Sequence, residues 1–185
     1  MSSGRSKLTL DIGPLLEDHW TGIPVFTRRL AQALARHGGL ELEFAFNFVR
    51  FPPDRVLSAI RLGAGAFLRE DFESRGSLDY DLVDPSAPLF YPSAKGAAQR
   101  LAREASTVHD MSTLFMPENH EPANVAHHLD HLKDELAGDE AVFCISEATR
   151  ASLVTAVPSV AGKTRLIYQY RAVQRSILSP ICNTF

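Results

Sequence analysis

The chain has 185 residues, of which 45% are hydrophobic and 22% charged, and its formal net charge is -3. That length suits one domain of ordinary size or slightly more, with enough chain to bury a sizeable core. The mild acidity gives no electrostatic case for nucleic acid, and no run of about 18 apolar residues offers a transmembrane segment.

Met1 to Lys7 is short, polar and basic and lacks the apolar centre of a signal peptide, so residues 1–6 read as a disordered start. Lys7 to Ile12 predicts a first strand, closed by Gly13-Pro14. After a loop carrying Glu17, Asp18, His19 and Trp20, a helix is expected from Gly22-Ile23-Pro24, because proline is tolerated in a first helical turn. Val25, Phe26, Leu30, Ala33 and Leu34 keep helical spacing up to His37-Gly38-Gly39, where glycine marks the stop. Leu40 to Val49 predicts a second strand, broken by Pro52-Pro53. Asp54 is the expected cap of a helix over 55–62, and a further short helix is expected around Ala66 to Phe72 before a polar loop. Ala87 to Pro92 predicts a short strand, and Ser93 the cap of a helix over Lys95 to Glu104.

Ser106 to His109 predicts the next strand, and Met111 to His120 an irregular loop. Pro122 to Leu136 predicts a helix with Val125, Leu129, Leu132 and Leu136 on one stripe, ended by Gly138. Ala141 to Ile145 predicts a buried strand, Ser146 the cap of a helix up to Thr155, and Lys163 to Tyr168 a last strand. Alternating strands and helices predict an α/β protein: a Rossmann-like open, mostly parallel sheet with helices on both faces. Cys144 and Cys182 make no disulfide framework, and Cys144, inside an apolar run, reads as a buried small hydrophobe. The expected setting is the cytoplasm, either free or peripheral to the inner face of the membrane.

Two apolar runs end abruptly in residues that can do chemistry. Thr107-Val108 leads into His109-Asp110, and Phe143-Cys144-Ile145 into Ser146-Glu147. The ends of parallel strands are where α/β sheets bind ligands. An imidazole can donate to or accept from a sugar hydroxyl, whereas a structural histidine explains His109 equally well. Ser146 and Glu147 are first of all a helix start, whose unpaired N–H groups could also face a crevice. Gly22 has the same two readings, a tight strand-to-helix turn and an anion site, without G-x-G-x-x-G or a P-loop lysine beside it. His127 and His131 share a helix face with His128 nearby, but a solvated face is the better reading, with no metal expected, because no third ligand stands at metal spacing. No G-x-S-x-G elbow supports a serine hydrolase.

Three segments together resemble the N-terminal domain of GT-B-fold retaining glycosyltransferases, the group with bacterial mannosyl- and rhamnosyltransferases. They are Asp11-Ile12-Gly13 with Thr21 to Leu30, Thr107 to Asp110, and Val142 to Arg150 followed by Lys163 to Tyr168. The resemblance covers 7–169 and implies the acceptor side of a two-domain hexosyltransferase. Its partners would be a nucleotide-sugar donor and a glycan or lipid-linked acceptor, with no cofactor. It implies His109 and Asp110 as catalytic residues, and Gly22, Ser146 and Arg150 as donor- or acceptor-binding residues. In the family a linker and a donor-binding domain follow, where this sequence has an atypical tail, 170–185. The expectation is therefore a chain truncated before that domain and inactive alone. The alternative is a stand-alone acceptor-binding or interaction module that works with a separate C-terminal domain.

Overall fold

The computed structural model describes residues 6–63, 65–74, 81–96 and 98–168. Met1 to Arg5 of the expected disordered start, the tail 170–185 and Cys182 lie outside the described residues, whereas Ser6 is already in a strand. The chain divides into two compact units that meet in sequence at Pro92-Ser93.

In the first unit, strand β1 (Ser6–Asp11) runs parallel to β2 (Leu40–Phe46), from Ser6 opposite Leu40 to Asp11 opposite Ala45. On its other side β1 runs parallel to β4 (Leu89–Tyr91). Helix α1 (Ile23–Arg36) connects β1 to β2 and turns Phe26, Leu30 and Leu34 inward. Leu8, Thr9 and Leu10 are all buried. Successive strand side chains point to opposite faces, so β1 is covered on both.

The expected single strand over Leu40 to Val49 is two strands. β2 turns back through Asn47-Phe48 into β3 (Val49–Phe51), which pairs antiparallel with it. Both turn residues have positive φ, 48° and 63°, the backbone that matches the twist of a two-residue hairpin. Helix α2 (Pro53–Leu62) starts from Pro52, and Asp54 lies in its first turn instead of capping it. Helix α3 (Gly65–Ser74) lies where a short helix is expected. It begins with glycine because a Cβ on Gly65 would come within 2.5 Å of the Leu15 carbonyl oxygen.

In the second unit, β5 (Glu104–Val108), β6 (Ala141–Cys144) and β7 (Thr164–Leu166) run parallel with β6 in the middle. Every residue of β5 and β6 is buried, so this sheet too is covered on both faces. The expected helix over Lys95 to Glu104 does not form in the described residues. Lys95 instead drops into the interior, where its ammonium pairs with Glu104 at 2.8 Å and Asp139 at 2.7 Å. Glu104 also accepts from the backbone amides of Arg100 and Leu101, which fixes an irregular path. The segment expected to be irregular after β5 holds a short helix, α4 (Ser112–Phe115), and a 3-10 turn at Pro117–Asn119.

Helix α5 (Pro122–Ala137) buries Leu132 and Leu136, whereas Leu129, expected on the same stripe, is 67% exposed. Lys163 closes this helix by donating to the carbonyls of Leu136, Ala137 and Asp139. Helix α6 (Glu147–Ala156) starts from Ser146 as expected and ends before Pro158. The core of this unit gathers Val108, Leu132, Leu136, Val142, Cys144 and Leu153. The result is a Rossmann-like, mostly parallel α/β protein, with antiparallel pairing at the β2–β3 hairpin and at the Val49–Leu82 bridge. Among the described residues no helix is long and apolar enough to cross a membrane.

Candidate functional site at two strand ends

In the second unit, Val108 and Cys144 are register partners at the last positions of β5 and β6. The chain therefore leaves the sheet side by side as His109-Asp110 and as Ile145-Ser146. A serine follows β6 because the next element is a helix whose first N–H groups need an acceptor. Ser146 is extended, and its Oγ accepts the Thr149 N–H at 3.0 Å.

Thr149 carries the connection between the two strand ends. Its Oγ1 donates to the His109 carbonyl at 3.0 Å and lies 2.9 Å from Ser146 Oγ. A hydroxyl has one proton. With the Thr149 proton committed to His109, the proton between the two hydroxyls must come from Ser146. The order is thus Ser146 O–H to Thr149 O–H to His109 C=O, a relay that fixes the main chain at His109. The Ser146 oxygen keeps one lone pair beyond the bond from Thr149 N–H, so it meets a ligand as an acceptor.

The other expected residues are held differently. Asp110 is exposed, and its Oδ1 accepts from both the Oγ and the backbone amide of Ser112, shaping the entry to α4. The side-chain bond from Ser112 is the main reason its carboxyl lies below the usual range, helped by the Ser112 amide and by His120 and His109. Arg150 lies exposed on α6 and donates through Nε to Glu147 at 2.9 Å, within its own helix. His109 and Ser146 are thus brought together through Thr149, and Asp110 and Arg150 each have a local partner.

Gly22 belongs to the first unit. It is the N-cap of α1 with φ 48° and ψ -106°, a conformation open to glycine and strained for other residues. No side chain caps the helix there, and the carbonyl of Gly22 accepts the Phe26 N–H at 3.0 Å. The preceding loop is pinned by the Trp20 indole on the Leu15 carbonyl and by Arg69 on Asp18. The Arg28 guanidinium lies 5.9 Å from the Trp20 ring centre.

Three polar groups at these strand ends were not among the expected site residues. Thr149 stands at the third helical position, where a capping-box side chain belongs, and that position is its sequence signal. Ser112 stands two residues after Asp110, the spacing of an Asx turn. Asp11 ends β1, and burial raises its carboxyl to about 7 against the lowering effect of the Gly13 amide. Cys144 is fully buried, which raises its thiol to about 11 and leaves it a packing residue. Among the described residues no group of three or more His, Cys, Asp or Glu side chains is arranged around a metal position. The histidine face of α5 is nevertheless more than a solvated surface, because His127 Nε2 lies 3.0 Å from a carboxylate oxygen of the buried Glu135.

The chain matches no protein-family model, no curated protein and no solved structure.

Proposed function

We propose that this chain is the acceptor-side half of a retaining glycosyltransferase, one that moves a hexose from a nucleotide sugar to a glycan or lipid-linked acceptor. The observation that carries the reading is the hydroxyl relay Ser146–Thr149–His109, which couples the ends of two adjacent parallel strands. Sugars are recognised by hydrogen-bonding side chains on rigid supports, and strand ends are the usual place for them. In this reading the His109 imidazole meets a hydroxyl of the transferred sugar and Ser146 Oγ accepts a second hydroxyl proton. Asp110 holds the loop through Ser112, and Arg150 exchanges Glu147 for an anionic ligand group. In the first unit, taken by itself, the uncapped start of α1 at Gly22 offers backbone N–H groups suited to a phosphate.

The reading assigns most donor contacts to a second domain, so sugar transfer by these 185 residues alone is expected to be absent. Binding is the measurable property. Saturation-transfer NMR with a panel of hexosides and nucleotide hexoses is expected to give sugar signals with the wild-type chain and to lose them with His109→Ala. A panel without signals, or signals unchanged in His109→Ala, contradicts the proposal.

A further inference from the structure

Helix α5 carries a second cluster of polar side chains that the proposed sugar site does not use. His127 and His131 are four residues apart, so their side chains lie one above the other on the same face. Their ring centres are 5.0 Å apart, both residues reach solvent, and His131 is fully on the surface side. One turn further on the same face stands Glu135, only 1% exposed. Its Oε1 lies 3.0 Å from His127 Nε2, and its Oε2 is buried without a hydrogen-bond partner.

A Glu135 carboxylate that accepts from Nε2 selects one tautomer of His127. A carboxylate beside Nε2 draws the ring proton to that nitrogen and leaves the lone pair on Nδ1. Metal-binding histidines are oriented in this way, with the second ring nitrogen donating to a carboxylate that raises the basicity of the ligating one. Burial adds a second effect. A desolvated carboxylate with one oxygen unsatisfied is costly, and a cation on the far side of the imidazole offsets that cost through the polarised ring.

We infer that His127 and His131 form a two-histidine chelate for a borderline divalent transition metal such as Zn2+, with Glu135 as the positioning residue behind His127. His127 ligates through Nδ1. His131 supplies the second nitrogen, and water fills the remaining positions, so the ion keeps open sites on the surface of the helix. Imidazole pairs suit Zn2+, Cu2+ and Ni2+ better than the hard cations Mg2+ and Ca2+, which favour oxygen.

The test is calorimetric titration of the untagged full chain with ZnCl2, with MgCl2 as the comparison. One Zn2+ site and no Mg2+ site are expected. His131→Ala, a surface change, should weaken Zn2+ binding at least tenfold. Glu135→Gln, checked for folding by circular dichroism, should weaken it about 10- to 100-fold, the effect of losing a carboxylate behind a histidine ligand. A wild-type chain that takes up no Zn2+, or unchanged affinity in either His131→Ala or folded Glu135→Gln, overturns the inference.

Discussion

The two units of the chain differ in where their strongest ion pairs lie. The second unit, besides the surface pairs Arg103–Glu140 and Arg150–Glu147, buries a three-residue cluster. Lys95 is 2% exposed, and its partners Glu104 and Asp139 are fully enclosed, with Ser106 donating to the second oxygen of Asp139. The first unit keeps its ion pairs at the edge. Glu43 is nearly buried, but its cations Lys7 and Arg50 are about a third exposed, and Arg69 meets Asp18 at the surface. A buried pair is a poor source of net stability and a strong constraint on geometry, because neither partner can leave without stranding the other. That constraint explains how Lys95 and residues 98–103 can follow a defined path without a helix. The surface pairs of the first unit hold loops that the backbone has already placed.

Breaking each kind of pair exposes the difference. Lys95→Met leaves two buried carboxylates facing each other and should cost about 3–5 kcal/mol in urea unfolding at neutral pH. Lys7→Met removes one of two cations from Glu43 and should cost less than about 1 kcal/mol. Equal losses for the two variants would erase the contrast.

A smaller effect sharpens the comparison at the end of β1, where burial raises Asp11 to about 7. The folded chain holds this proton at pH values where the unfolded chain has released it. The contribution of Asp11 is therefore present at low pH and is lost as the pH rises from about 4 to about 7. Asp11→Asn keeps the acceptor for the Gly13 amide and removes the titration. Relative to the wild type, this variant should gain stability steadily as the pH rises through that window, measured by urea unfolding at several pH values. A constant difference between the two chains across the window would show that Asp11 ionises normally.

A further small effect belongs to the hydroxyl relay. Ser146→Ala removes the cap from α6 and the donor to Thr149, at a cost of about 1 kcal/mol in thermal or urea unfolding. A neutral result would mean that the relay adds nothing to the start of this helix.

What the sequence makes legible follows from the range of the interactions involved. Strand β6 is an apolar run bounded by polar breaks, β1 sets Leu8 and Leu10 beside such a break, and Ser146 caps α6 through a contact three residues away. These are local signals. The hairpin at Asn47-Phe48 is concealed because asparagine suits positive φ and phenylalanine does not. The segment from Lys95 to Arg103 is rich in helix formers, yet Lys95 is drawn to Asp139, 44 residues away, and tertiary pairing overrides propensity. The candidate site divides along the same line. His109 and Ser146 stand out at strand ends, whereas the bond from Thr149 to His109 spans 40 residues and has no local signature.

The central claim is that the ends of β5 and β6 form one sugar-recognising surface. The most direct measurement is a 1H–15N NMR titration of the labelled chain with the hexoside that gives the largest saturation transfer. The account predicts saturable amide shifts concentrated at 109–112 and 146–150, abolished by His109→Ala. Shifts confined to other parts of the chain, or the same pattern in His109→Ala, would contradict it.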